Sequence, residues 1–310
     1  MALKPQSTGW LPYLWSIILL VSLSISGCNS SDNTSNSNNP TTRTWLNVAY
    51  ANASSAQQLD IYLPTTGSGP FPTVIWIHGG AFKFGDKANP QSLNALNNAG
   101  YAVVSVNYRL SGEAQWPAQL ADLKSIVSYL RTHASQYALD ANKFAAWGAS
   151  AGGHLAAMTG IALASDSATR VQAVVDWFGP IDFYNMDADM IASGVTRCTG
   201  ANGAADSPES ALIGATVSEN KAKADAASPL TYLSQLSTST ALPPFLIMHG
   251  LQDCNIAAKQ SERLHTAIQA KFGATKSTIM KLAAGTHGGG EFKEAYVETT
   301  VIDFLNTYLK

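Results

Sequence analysis

The sequence predicts an α/β fold: a mostly parallel, doubly wound sheet that carries one lid-like insertion. Three observations predict it. From about residue 45 onward, apolar β-branched runs alternate with segments of helical periodicity, the pattern of strands covered on both faces. Residues 144–155 read as a buried strand, a turn tight enough to need glycine on both sides, and an alanine-rich helix. Between about residues 180 and 236 the alternation breaks down, which marks an insertion after one strand.

Taken in order, residues 45–51 and 58–63 read as a pair of early strands. A central strand is expected over 73–77, a short helix over 90–98 and another strand over 101–106. Residues 116–135 place Leu120, Leu123, Ile126, Val127 and Leu130 on one helical face. The tight turn follows its strand, and its helix runs to about residue 164. Strands at 171–177 and 244–248 enclose the insertion. A helix at 257–272, a strand at 278–282 and a helix at 292–309 close the chain.

The 310 residues are 46% hydrophobic and 13% charged with a net charge of −2, so one large core is affordable. Near-neutral charge without a basic run argues against a general affinity for nucleic acid. The sequence has no G-x-x-x-x-G-K-[ST] loop, no C-x-x-C and no histidine pair at metal-ligand spacing, so no metal or organic cofactor is expected.

The first 27 residues read as an export signal, with Lys4 ahead of an apolar core too short to span a bilayer comfortably. The core ends in Leu23-Ser24-Ile25-Ser26-Gly27-Cys28, which resembles a bacterial lipobox. That resemblance implies cleavage before Cys28, acylation there, and attachment to a membrane through the acyl chains. An uncleaved helix or an ordinary signal peptide is the alternative. Asn29 in place of aspartate implies the outer membrane. Residues 28–44, rich in serine, asparagine and threonine, read as a flexible tether, with the folded domain spanning 45–310.

The tight turn is Gly148-Ala149-Ser150-Ala151-Gly152, a G-x-S-x-G nucleophile elbow between strand and helix. Lifting a serine hydroxyl above a sheet turns the backbone so sharply that side chains two before and two after it would collide. Glycine at both places removes the collision. The helix behind the turn aims unpaired amides at it, so the N–H of Ala151 is placed to stabilise an anion beside Ser150.

A serine needs a base to take its proton. Of six histidines, His133 and His265 lie within helices and read as surface or packing residues. His154 sits one turn into the helix after Ser150 and is expected to point away from it. His78 and His249 end strands. His287 stands in Gly285-Thr286-His287-Gly288-Gly289-Gly290, a loop between the last strand and the last helix. It is the preferred base, with His249 its main rival. Asp253, on the loop after the 244–248 strand, is the preferred carboxylate to fix the tautomer of that base, and otherwise reads as a helix cap. Asp182 is the alternative acid.

His78-Gly79-Gly80-Ala81 follows the 73–77 strand. The amides of Gly80 and Ala81 join that of Ala151 as candidate oxyanion donors, and His78 reads as a loop-fixing residue. In an exported protein, Cys198 and Cys254 suggest a disulfide pinning the insertion to the acid loop, with free thiols as the alternative. Phe82, Trp116, Phe178 and Tyr184 are candidate pocket aromatics, although such residues are more often core.

Together these residues resemble the α/β-hydrolase superfamily, whose chain order of serine, acid and histidine they share. More narrowly, the chain resembles exported esterases related to the feruloyl and acetyl-xylan esterases and to the hormone-sensitive-lipase-like carboxylesterases. The resemblance is carried by Leu59-Asp60-Ile61-Tyr62-Leu63-Pro64, His78-Gly79-Gly80, Asn107-Tyr108-Arg109-Leu110, the elbow, Ala227-Ser228-Pro229-Leu230, His249-Gly250 with Asp253, and His287-Gly288-Gly289. It implies a serine esterase that works through an acyl-enzyme on short-chain or aromatic acyl esters, with acetylated or feruloylated polysaccharide among the candidate substrates. Ala81 departs from the third glycine of the family's H-G-G-G loop but still offers its amide. Only about 30 residues separate Trp45 from that loop, too few for the helical cap of lipase-like relatives, which disfavours long acyl chains. The competing readings are a serine peptidase or amidase on the same three residues, and a non-catalytic surface binding protein on a hydrolase scaffold.

Overall fold

The computed structural model describes residues 42–310. The expected signal segment 1–27, Cys28 and the tether as far as residue 41 lie outside the described residues. The strands are β1 (Thr44–Ala49), β2 (Gln58–Tyr62), β3 (Phe71–Ile77), β4 (Ala102–Val106), β5 (Leu139–Ala149), β6 (Ala173–Trp177), β7 (Phe245–Gly250) and β8 (Ser277–Leu282). They form one sheet in the order β1-β2-β4-β3-β5-β6-β7-β8. β1 and β2 pair antiparallel, as do β2 and β4, and every pairing from β4 to β8 is parallel. The helices are α1 (Leu93–Asn98), α2 (Ala118–Thr132), α3 (Ala151–Ala162), α4 (Met186–Ser193), α5 (Pro208–Ile213), α6 (Lys221–Ala226), α7 (Pro229–Gln235), α8 (Lys259–Phe272) and α9 (Ala295–Leu309).

Alternation along the strands divides the core into two layers. In β3, Ile75 and Ile77 face one layer, joined by Leu123, Ile126 and Val127 of α2, Leu155 and Met158 of α3, and Leu264 of α8. Val74 and Trp76 face the other, with Leu96 of α1 and Val297, Val301 and Leu305 of α9. Both faces of the parallel strands are therefore covered, and β4, β6 and β7 are buried throughout. Each such aliphatic side chain contributes about 1.5–3 kcal/mol by leaving water.

The Asn107–Leu110 stretch braces this scaffold. Arg109 forms a forked pair with the fully buried Asp122 of α2 through its Nε and Nη2, at 2.7–3.1 Å. Asp122 also accepts from Gln57 Nε2 at 2.7 Å and from the Arg109 amide at 2.9 Å. Asn107 Oδ1 accepts the Lys87 amide at 2.7 Å, and Lys87 Nζ pairs with Asp60 at 3.0 Å.

Two element starts and the role of the insertion differ from the sequence reading. β5 starts at Leu139, because Asp140 to Lys143 are half-exposed or exposed and leave no apolar run to read. The final helix starts at Ala295: Gly290–Lys293 form a separate turn, and Glu294 is extended (φ −77°, ψ 139°). The insertion between β6 and β7 holds α4 to α7 and is only partly a cover. α7 packs against α3 and α8 in the layer over the sheet, and α4 is tied to α8 by Asp189–Arg263 hydrogen bonds of 2.6 and 2.7 Å.

Candidate active site

Ser150, His78, Asp253 and His287 all follow the carboxyl ends of parallel strands, β5, β3, β7 and β8, where open α/β sheets gather their sites. At the elbow Ser150 has φ 58° and ψ −124°, a strained backbone for a residue with a side chain. The flanking glycines are obligatory. A Cβ on Gly148 would lie 2.1 Å from the Gly152 carbonyl oxygen, and one on Gly152 would lie 2.0 Å from that of Ile77. The Ser150 amide donates to the Trp177 carbonyl at 2.9 Å, which fixes the turn to β6.

His287 meets the serine. Its Nε2 lies 2.9 Å from Ser150 Oγ, and its Nδ1 lies 2.7 Å from Asp253 Oδ2. The carboxylate can only accept, so Nδ1 carries the proton and Nε2 is left as the acceptor for the serine hydroxyl. The Phe178 ring sits 4.6 Å from the imidazole and supports it. Asp253 Oδ1 accepts the amides of Asn255 and Ile256 at 2.8 and 3.0 Å, so one oxygen closes its own turn while the other serves His287. Burial would raise the Asp253 pKa, but hydrogen bonds and charge from His249 and His287 outweigh it and hold the group well below the usual carboxylate range.

His249, the rival base, has its Nε2 3.4 Å from the same Asp253 oxygen, Oδ2, and is fully buried. Its Nε2 donates to the Ile256 carbonyl at 2.9 Å, and its Nδ1 accepts from Ser261 Oγ at 2.7 Å. Both nitrogens are committed, so neither is free to take a serine proton. Asp182, the rival acid, is engaged by Asn185 Nδ2 at 2.7 Å and Arg263 at 3.6 Å. His154 is buried, with Nε2 donating to the Ala227 carbonyl at 2.8 Å, and burial lowers its pKa to about 4. His78 stacks on Tyr108 at 4.5 Å and donates from Nδ1 to the Gly79 carbonyl at 2.7 Å. It holds the loop.

In that loop Gly80, Ala81 and Phe82 all have positive φ, at 115°, 55° and 57°. The Gly80 carbonyl accepts the amides of Lys83 and Phe84, each at 3.0 Å. A Cβ there would lie 2.0 Å from the Phe84 oxygen. A cavity of about 250 Å³ opens beside Ser150, lined by Ala81, Phe82, Ala151 and His287 on the sheet side. Ala151 begins α3, so its amide has no partner within the helix. Gly80 is not among the lining residues, and its visible part is the turn.

The opposite wall comes from the insertion: Thr199 to Asn202 and Asp206 to Glu209. Asp187 organises it, accepting from Arg197 Nη2 and the Asn202 amide on Oδ1 at 2.6 and 2.8 Å and from the Gly203 amide on Oδ2 at 2.8 Å. Cys198 and Cys254 are disulfide-bonded, which ties the wall to the residue after Asp253. Of the four aromatics singled out, Phe82 lines the cavity and Phe178 supports His287. Trp116 lies elsewhere, donating to the Ala226 carbonyl, and Tyr184 is exposed beneath Lys221.

Sequence reasoning missed Asn202, Glu209 and Asn255 as cavity residues. One signal was available: Ser207-Pro208 is a helix start, and Ser207 Oγ caps α5 by accepting the Ser210 amide at 3.0 Å. Among the described residues no group of three or more His, Cys, Asp or Glu is arranged to hold a metal ion.

Residues 59–268 match the model of the BD-FAE family. Esterase LipC of Mycobacterium tuberculosis is 29% identical over 252 residues, covering 75% of this chain and 57% of that protein. The chain spans about half the length of the curated relatives it matches. A truncated carbohydrate esterase from gut microbiota superposes with a TM-score of 0.74 at 30% identity, over 86% of this chain and 96% of that one. A bifunctional GH43-CE protein of Bacteroides eggerthii superposes with a TM-score of 0.73 at 31% identity, over 85% of this chain and 38% of that one. With an elbow serine, a loop histidine and a buried aspartate at the strand ends of an α/β-hydrolase sheet, and a family match across most of that sheet, this chain belongs to the BD-FAE family.

Proposed function

We propose that this protein is a serine carboxylic-ester hydrolase that passes through an acyl-enzyme on Ser150. The observation that carries the reading is the continuous hydrogen-bonded line from Ser150 Oγ through both nitrogens of His287 to Asp253, at 2.9 and 2.7 Å. Ser150 attacks the ester carbonyl as its proton passes to His287 Nε2, and Asp253 stabilises the imidazolium. The amides of Ala151 and Ala81, both on the cavity wall, receive the oxyanion together with that of Gly80 beside Ala81, each worth about 3–4 kcal/mol of barrier. The imidazolium then protonates the leaving alcohol. Water enters, gives its proton to the same nitrogen and releases the acid.

A cavity of about 250 Å³ lies at or below the lower end of ordinary ligand pockets, roughly 300–1,000 Å³, and favours a short-chain or compact aromatic acyl group. The carbohydrate esterase named above supports a carbohydrate ester as substrate, with acetylated or feruloylated polysaccharide as the candidates. The test is hydrolysis of p-nitrophenyl esters from acetate to decanoate, with methyl ferulate and acetylated xylan alongside and Ser150→Ala as blank. Turnover is expected to peak at the short esters and to vanish in the variant. Silence of the wild type, or turnover surviving in Ser150→Ala, removes the assignment.

The same reading includes an exported lipoprotein with a signal segment 1–27, a lipid anchor at Cys28 and a tether to residue 44, held at the outer membrane on its periplasmic or cell-surface side. It is supported by the lipobox-like run and by the Cys198–Cys254 bond, which suits an oxidising compartment. Mass spectrometry of the mature protein tests it. An acylated amino-terminal Cys28 supports the anchor, and an intact Met1 or cleavage at another residue removes it.

A further inference from the structure

Glu209 is the buried titratable side chain of the cavity that the mechanism above does not use. It is 4% exposed, yet it lines the same cavity as Ser150, Ala151 and His287. A carboxyl this deep normally has a cation or several donors. Its own backbone amide reaches the carboxyl, and its one side-chain partner is Asn202, whose Nδ2 lies 3.5 Å from Oε2, at the limit of a hydrogen bond. Arg197, the nearby cation, spends its guanidinium on Asp187, Asn202 and the Gly200 carbonyl. Burial pushes the Glu209 pKa up to about 7, with Asp187 adding to the rise. The wall residues are held by the Asp187 hydrogen bonds and the disulfide, so Glu209 is kept in place without its hydrogen-bonding capacity being filled.

We infer that Glu209 is a specificity residue of this site and accepts a hydrogen bond from a hydroxyl group carried by the ester substrate. This rests on the esterase reading above and says which esters the site selects. An alkyl group pressed against Glu209 strips water from a polar group and returns nothing. A hydroxyl in the same place completes its bonding. A site built in this way rejects the analogue lacking the hydroxyl far more strongly than an apolar pocket rejects a missing methylene. The hydroxyl has two sources, the sugar ring of a leaving alcohol and the phenol of an aromatic acyl group.

The experiment is a ratio of kcat/KM values within matched ester pairs. One pair is acetylated methyl xyloside and tetrahydropyranyl acetate; the other is methyl ferulate and methyl 3-methoxycinnamate. The wild type is expected to prefer the hydroxylated member of one pair. Glu209→Leu is expected to lower that ratio by about 10–100-fold. Glu209→Gln, whose amide oxygen still accepts, is expected to retain part of it. Collapse confined to the first pair assigns the sugar hydroxyl, and collapse confined to the second assigns the phenol. A merely structural role lowers both members equally, so unchanged ratios in both pairs overturn the inference. Should Glu209→Leu not fold, the near-isosteric Glu209→Gln decides in assays above about pH 8, where the Glu209 carboxyl is ionised, because a charge-assisted bond reduced to a neutral one must lower the ratio about threefold or more. Wild-type silence on every ester overturns the esterase reading and this inference with it, whereas ester turnover with unaltered ratios overturns this inference alone.

Discussion

Asp253, behind His287, and Glu209, in the cavity wall, are both almost fully buried, and their environments drive them in opposite directions. Asp253 gives Oδ2 to His287, has His249 at 3.4 Å, and closes two amides on Oδ1. Its charge is answered at every lone pair, and its pKa is held down in spite of burial. Glu209 has only its own amide and one long contact from Asn202, and burial carries its pKa to about 7. Depth alone therefore does not set ionisation; the number of donors brought to the carboxyl does. A carboxylate satisfied by its own protein fixes a catalytic histidine, whereas one left short of partners is available to a ligand.

The strongest way to break this contrast is to remove the charge from the satisfied side. In Asp253→Asn the amide keeps the shape, but its NH2 group can face His287 Nδ1 and turn the imidazole to the tautomer that cannot accept from Ser150. The expected loss in kcat is about 10⁴-fold with KM little changed, by analogy with the same substitution in other serine triads. Ester kinetics with a melting curve on the same sample check it. A variant within tenfold of the wild type would show that Asp253 is a structural cap and that the acid lies elsewhere.

The next largest effect belongs to the wall. The disulfide closes a sequence separation of 56 residues, and the loop-entropy model assigns such a cross-link about 4 kcal/mol. The double variant Cys198→Ser with Cys254→Ser is expected to unfold at lower denaturant by that order. Its kinetic loss is expected to fall on KM more than on kcat, because Ser150 and His287 are anchored to β5 and β8 while Glu209 is anchored through the wall. Equal losses in both constants would mean that the bond positions Asp253 rather than the wall.

The same two sides differ in how much the sequence reveals. Ser150, Asp253 and His287 sit at strand ends, where backbone geometry demands recognisable residues: two glycines whose Cβ atoms would strike carbonyl oxygens 2.0–2.1 Å away, and a glycine-rich run that carries the histidine. Periodicity also located the parallel strands, because both of their faces are buried. It did not show that both His249 nitrogens are taken by Ser261 and Ile256, which is a matter of side-chain contacts across the loop. Glu209 left no periodic trace. α5 is six residues long, and its place in the cavity depends on Asp187 hydrogen bonds 10 to 16 residues away in sequence, and on a disulfide to another loop. Contacts of that range carry no local pattern.

The smallest expected effect is the pH dependence of stability. A carboxyl whose folded pKa is raised keeps its proton in the folded protein over a range where the unfolded chain has lost it. For Glu209 that range runs from the ordinary value of 4.5 to about 7. Its contribution is full below 4.5 and disappears as pH rises through 7. Asp253 works in the opposite sense: its pKa is depressed, so its contribution is present above the ordinary 3.8 and is lost as pH falls below it. His154, held down to about 4, also favours the folded state as pH rises through its own window. The clean observable is thus the difference in unfolding free energy between wild type and Glu209→Gln across pH 4 to 8, which removes every group the two proteins share. That difference is expected to move against the wild type by on the order of 1–3 kcal/mol between pH 4.5 and 7 and to be flat below pH 4. A flat difference across the whole range would mean that Glu209 has found its donors within the protein, and the contrast with Asp253 would disappear.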